Sequence, residues 1–247
     1  NLAYRPQFVS NNYKEGRKVI SSIEDELLSC EQFAISVAFI TMSGITPLLQ
    51  TLKELEKRGI PGRILTTDYL TFSDPKALRK LEEFSNLHVK MYVTDQTEEG
   101  FHTKGYIFKK EEMYRIIVGS SNMTLSALTV NREWNTRIVS TEQGKYAQSV
   151  LAEFEDLWNS SQAVEFEQFI DSYTENYTRN KIIRKQKELA RQEQIPSLEA
   201  YRLQPNSMQT GFINNLQKIY DAGEDKALLI SATGTCLLYT SDAADDL

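Results

Sequence analysis

The sequence predicts an α/β protein: a mixed β-sheet flanked by helices, then a helical linker and a fragment of a second unit. Three observations predict it. Strand-like and helix-like apolar segments follow one another in a β-α-β-α-β order between residues 33 and 94. The first strand candidate, FAISVAFI at 33–40, is apolar without interruption, as in strands buried on both faces. FHTKGYIF (101–108) and MYRIIVGSS (113–121) then read as a hairpin, whose antiparallel pairing makes the sheet mixed.

Each element has its own signal. Residues 13–29 place Val19, Ile20, Ile23, Leu27 and Leu28 at helical spacing. After the strand at 33–40, residues 44–58 form a second helix that ends near Gly59. Residues 62–70 are the next strand. Residues 73–84 are a helix capped by Ser73 or Asp74, with Pro75 in the first turn, where its missing N–H is no loss. Residues 87–94 alternate as a strand. The hairpin follows, with KKEE (109–112) as its turn. Residues 136–140 add a short strand, and a helix at 144–161 closes the unit.

The expected domains are therefore 1–161, a charged helical linker at 162–195, a second unit at 196–235 opened by Pro196, and a tail at 236–247. Within the linker, residues 178–194 carry six Lys or Arg against two Glu. They read as a solvated helix, with a nucleic-acid-facing helix as the alternative.

Composition narrows the class. At 247 residues and 40% hydrophobic, the chain holds one full domain and part of another. A net charge of -6 gives no global nucleic-acid signature, so any basic surface must be local. Cys30 and Cys236 lie too far apart in sequence to suggest a disulfide framework, and fit a reducing cytoplasm. No apolar run reaches membrane-spanning length and nothing resembles a signal peptide, so no membrane partner is expected. The first residue is Asn1 rather than Met, so either a fragment or a processed chain is expected.

The chemistry concentrates in two stretches, FHTKGYIF and VGSSNMTLSALTVNREWN (118–135). Metal-free phosphodiester cleavage needs an in-line nucleophile, donors for the phosphoryl oxygens, and an acid for the leaving oxygen. His102 attacks through one ring nitrogen if a carboxylate holds the other. Lys104, two residues on, shares its strand face and supplies positive charge. Ser120 and Asn122 follow an apolar strand and offer a hydroxyl and an amide as phosphate-binding groups. Glu133 is the carboxylate expected to orient the imidazole. Asp68 and Tyr69 are weaker candidates for lining the site. His88 reads as structural and Cys30 as a small buried residue. Acids and histidines do not cluster at ligand spacing, so no metal is expected.

His102, Lys104, Gly119, Ser120, Asn122 and Glu133 together resemble the phospholipase D superfamily, whose hallmark is His-x-Lys, then Gly-Ser-x-Asn and a downstream acid. The resemblance spans roughly residues 10–160 and is strongest in VAFITMSG, LTTDYL, FHTKGYIF, VGSSNMT and NREWN. Within it, the chain looks like the nuclease-like domains fused to helicases and restriction enzymes. The resemblance implies a phosphohistidine on His102 and a second copy of the motif to supply the acid. With one motif in the chain, a homodimer with the two motifs facing each other is the expected arrangement. Two features depart from the pattern: Lys109 stands where the family has Asp, and the spacing from His102 to Gly119 is longer than usual.

The C-terminal stretch carries a second resemblance. In residues 205–235, Gln209 precedes an amphipathic helix and ALLISATGT reads as a strand running into a Gly-containing loop. This looks like the start of a RecA-like motor of a superfamily 2 helicase. Gln209 resembles its adenine-reading glutamine, and Thr233, Gly234 and Thr235 the opening of its phosphate loop. The expected Gly-Lys-Thr does not follow. The tail CLLYTSDAADDL resembles translated adapter sequence and is expected to be non-native.

The resulting expectation is a metal-independent DNA nuclease, cytoplasmic and dimeric, from a parent helicase that would use ATP and Mg in restriction, defence or repair of DNA. This truncated chain would have no ATPase activity of its own. The competing readings are a non-catalytic DNA-binding and dimerising module, and a lipid phosphodiesterase.

Overall fold

The computed structural model describes residues 5–94, 100–194 and 207–224, with the side chains of 188–194 and 207–209 outside the description. The chain divides into two compact units, Asn1–Glu188 and Leu189–Leu247.

In the first unit the elements run β1 (Gln7–Val9), α1 (Val19–Ser29), β2 (Gln32–Val37), α2 (Met42–Ile45), α3 (Leu49–Lys57), β3 (Gly62–Thr67), α4 (Pro75–Glu82), β4 (Leu87–Tyr92) and β5 (Lys104–Lys110). They continue as β6 (Met113–Gly119), α5 (Leu125–Thr129), β7 (Asn135–Thr141), α6 (Lys145–Trp158), β8 (Ala163–Glu165) and α7 (Phe166–Gln194), which runs past Glu188. The described strands form one eight-stranded sheet in the order β1-β7-β6-β5-β2-β3-β4-β8. β2, β3 and β4 are parallel. The remaining pairings are antiparallel, so the sheet is mixed.

The sheet is buried on both faces, which explains the unbroken apolar run in β2 and the apolar centre of β5. Tyr106 and Phe108 of β5 point into one core with Ile23 and Leu27 of α1, Leu55 of α3 and Leu78 of α4. Ile107, between them, points into the other, with Leu65 of β3 and Phe154 and Trp158 of α6. This period of two places helices on both sides of one sheet. Burial of each large side chain contributes about 1.5–3 kcal/mol. Arg63 on β3 fixes α6 by pairing with Glu155 and lying over the Phe154 ring at 4.9 Å.

Several boundaries differ from the sequence reading. The helix expected at 13–29 starts only at Val19. Before it, Asn12 caps a 3-10 turn at Tyr13–Glu15, and Gly16 at φ 65° closes it. The strand expected to reach Ile40 ends at Val37, after which Ile40 pairs with Met123 in the loop beyond β6. The strand expected over 62–70 ends at Thr67 and gives way to a 3-10 turn at Tyr69–Thr71. In the hairpin, Lys110 pairs with Met113, leaving Glu111 and Glu112 as the turn, with Glu111 at φ 54°. The edge strands β1 and β8 and the short α5 have no counterpart in the sequence reading. The first compact unit also extends past residue 161. Phe169, Ile170 and Tyr173 of α7 are buried in the main core, so the first half of the segment read as linker packs as part of this unit.

The second unit contains the end of α7, from Leu189 onward, and, later in the chain, α8 (Ser207–Asp221). Gln209 lies inside this helix rather than before it. Thr233, Gly234 and Thr235, and the strand expected before them, lie outside the described residues.

Candidate functional site

The C-terminal ends of β2 and β3 open onto the segment that carries His102. Val37, the last residue of β2, pairs with Lys104, the first of β5. His102 therefore stands just off the sheet edge rather than in a strand. Two ties hold its backbone: Ala38 donates its N–H to the Thr103 carbonyl at 3.1 Å, and Ser36 and Thr103 share a hydroxyl hydrogen bond of 2.6 Å. The His102 ring is exposed, while Phe101 beside it is buried against Tyr92.

Lys104 meets that ring. Its Nζ stands 2.8 Å from His102 Nδ1 and 3.3 Å from Nε2, and donates to the His102 carbonyl at 3.0 Å. An ammonium only donates, and a neutral imidazole has one acceptor nitrogen, so the tautomer decides which of the two nitrogens takes this hydrogen bond. Burial pushes the Lys104 ammonium below the usual lysine range, and the negative charge of Glu133 opposes that shift.

The loop after β6 brings the other motif residues to the same edge. Gly119 is required by close approach: a Cβ there would overlap the Trp134 carbonyl and Asn135 Oδ1. Ser120 donates its hydroxyl hydrogen to Glu133 Oε2 and accepts the Trp134 N–H at 3.0 Å. Asn122 Oδ1 accepts the Phe39 N–H at 3.1 Å, which leaves the side-chain amide N–H2 as its donating end. Glu133 is 9% exposed.

The expected site residues thus gather at one edge, with changed roles for two. Glu133 bonds Ser120, and the group at the His102 ring is Lys104. The single hydroxyl hydrogen of Ser120 is committed to Glu133 in this arrangement, so Ser120 anchors the carboxylate. His88 is exposed near the start of β4, at the opposite end of the sheet from His102. Lys109, at the Asp position of the motif, lies at the far end of β5 and pairs with Glu142 at 2.9 Å. Asp68 accepts from the N–H and hydroxyl of Thr94, both at 2.9 Å, and lines a neighbouring cleft with Tyr69.

Two positions were missed from the sequence. Phe39 presents its ring to His102 at 6.3 Å and 77° and to Phe72 at 5.1 Å and 88°. It sits within an apolar run, where nothing distinguishes it from core. Asn135 is buried and bonds Ser121 Oγ at 2.9 Å, the Ser121 N–H at 3.3 Å and the Val9 carbonyl at 3.2 Å, tying the loop to β1. The Tyr106 hydroxyl supports the same loop through the Ser121 carbonyl at 3.0 Å.

A cleft of about 450 Å³ opens beside His102, Lys104 and Gly105, with an apolar wall of Ile107, Val118, Val150, Phe154 and Leu157. Among the described residues, no group of three or more His, Cys, Asp or Glu is placed to hold a metal ion, and no helix is long and apolar enough to cross a membrane.

Residues 25–158 match the family described as cardiolipin synthase, PLD-like domain. The fold is similar to that of Nuc from Salmonella typhimurium, a phospholipase D family member, with a TM-score of 0.50 and 19% identity over 66% of this chain and 99% of that one. NucT from Helicobacter pylori is similar with a TM-score of 0.51 and 15% identity, again over 66% and 99%. At such identities the likeness is one of fold. No curated protein matches the sequence.

Proposed function

The chain belongs to the phospholipase D-like domain family, and on that premise we propose that it hydrolyses phosphodiester bonds in DNA without a metal, using His102 as nucleophile. The observation that carries this is the Lys104 ammonium, 2.8 Å from the exposed His102 ring at the edge where Asn122 also stands.

The bound phosphate draws Lys104 off the ring, and Lys104 and the Asn122 amide offset the charge on the phosphoryl oxygens. A free ring nitrogen of His102 forms a bond to phosphorus as the P–O bond to the leaving group breaks. The leaving oxygen takes a proton from a second histidine. That histidine, now neutral, accepts a proton from water, whose oxygen attacks phosphorus and breaks the N–P bond. His88 is at the wrong end of the sheet for this role. The second histidine is therefore assigned to His102 of another copy of the chain, in a homodimer. The reading of a parent helicase rests on Gln209 and the SATGT stretch alone.

The apolar cleft beside His102 favours one other reading, a phosphodiester with an apolar moiety such as a phospholipid. Both are tested by incubating the chain in excess EDTA with an oligonucleotide or with phosphatidylglycerol vesicles. DNA cleavage that His102→Ala abolishes supports the nuclease. Lipid turnover exceeding DNA cleavage supports the lipid reading.

A further inference from the structure

A second, larger cleft of about 750 Å³ lies between the Tyr69–Thr71 turn and α7, within the first compact unit. Its base includes the buried Met91, Phe169 and Tyr173. On one wall, Tyr69, Leu70 and Phe72 are 42%, 53% and 42% exposed, a concentration of apolar surface that the core leaves uncovered. On the other, Asn176, Asn180, Arg184 and Lys187 recur every three or four residues, so one stripe of α7 presents amides and then cations to the cleft.

The wall is built at some backbone cost. Leu70 and Thr71 both adopt left-handed conformations, at φ 55° and 46°. Arg184 holds them there. It donates to the Leu70 carbonyl, to the Thr71 carbonyl at 3.2 Å and to the Thr71 hydroxyl at 2.7 Å, with its guanidinium 4.3 Å over the Phe72 ring. Asn180 adds a bond to the same hydroxyl at 3.1 Å. Asp68, the acid lining the cleft, accepts from Thr94 through Oδ1 alone and brings one negative charge to that end of it. The cleft also joins the catalytic edge: Phe72 contacts Phe39, and Phe39 contacts His102, at centroid distances of 5.1 and 6.3 Å.

We propose that this cleft is a subsite for single-stranded nucleic acid, which seats the nucleotides flanking the scissile phosphate. The exposed ring of Tyr69 stacks on an unpaired base, Phe72 with Arg184 over it forms the wall beside that base, and Lys187 faces the backbone phosphates. Phe39 touches both Phe72 and His102, so a strand running from this cleft to His102 passes the Phe39 ring. A duplex keeps its bases stacked on one another and gives the Tyr69 ring nothing to hold. The inference rests on the nuclease reading and names its substrate class: single-stranded or locally unpaired DNA.

The test is binding of a short labelled single-stranded oligonucleotide to the full chain carrying His102→Ala, which removes turnover. Tyr69→Ala is expected to weaken binding about tenfold and Tyr69→Phe to preserve it. Lys187→Gln is expected to weaken binding severalfold and to flatten its logarithmic salt dependence by about 0.7. Lys187 is exposed on the helix, so this variant decides the matter alone if Tyr69→Ala fails to fold. Unchanged affinity in both variants, with EDTA-resistant cleavage by the unsubstituted chain, overturns the subsite and leaves the nuclease reading standing. No binding and no cleavage by the unsubstituted chain overturns both. Anionic vesicle binding that falls in both variants while oligonucleotide binding does not also overturns the subsite.

Discussion

Ser120 donates its hydroxyl hydrogen to the buried carboxylate of Glu133 and accepts the N–H of Trp134 at 3.0 Å. The serine of the Gly-Ser-x-Asn stretch therefore fixes the acid thirteen residues downstream. Ser120→Ala leaves Glu133 without this donor and the Trp134 N–H without its acceptor. The expected cost is about 1–3 kcal/mol, measured by denaturant unfolding. Cleavage is expected to fall at least about tenfold, with Ser120→Thr restoring most of both because it keeps the hydroxyl.

Lys104 is expected to set a pH limit on the proposed cleavage. Burial lowers its pKa, so it loses its proton at lower pH than an exposed lysine does. The alkaline limb of the cleavage profile is expected below the usual lysine range. Lys104→Arg should move that limb upward, because a guanidinium keeps its charge, while lowering the maximum rate through altered geometry. The sign for folding follows from the same shift. Between the depressed folded value and the ordinary unfolded one, the unfolded chain binds more protons, so stability rises with pH across that window. Lys104→Met should remove that rise.

Gly119 admits no side chain. An added Cβ would overlap backbone and the Asn135 amide, neither of which yields cheaply. Gly119→Ala is expected to destabilise the fold by about 1–3 kcal/mol and to displace Ser120 next to it. Denaturation midpoints and cleavage rates should fall together. Gly105→Ala, where a Cβ would meet open space, serves as the comparison and should leave stability nearly unchanged.

Cys30 is buried at the end of α1, and burial pushes its thiol up to about 11. At pH 8 only about one in a thousand of these groups is thiolate. Iodoacetamide should leave Cys30 unlabelled in the folded chain and label it after denaturation, as read by peptide mass mapping. Rapid labelling without denaturant would mean that α1 is not packed as described.

The mixed sheet with flanking helices was legible because strands buried on both faces leave unbroken apolar runs, and helices leave a period that Leu27, Leu55 and Leu78 repeat. The edges were not. β1 and β8 are three residues each, too short for alternation to register, and their pairing depends on distant partners at Arg137 and Lys90. The site's residue types were legible from His102, Lys104, Ser120, Asn122 and Glu133 in order. Their partners were not, because hydrogen bonds such as Ser120 to Glu133 and Phe39 to Asn122 join loops that no local pattern relates. Residues 178–194 illustrate a further limit. Charge density described the helix, but only the turn opposite it shows which stripe faces a cleft.

Cleavage of a labelled oligonucleotide in excess EDTA, with the unsubstituted chain and His102→Ala measured side by side, tests the central claim most directly. Metal-independent hydrolysis through His102 predicts clear cleavage by the unsubstituted chain and background for the variant. Equal cleavage by the two, at any level, would contradict it.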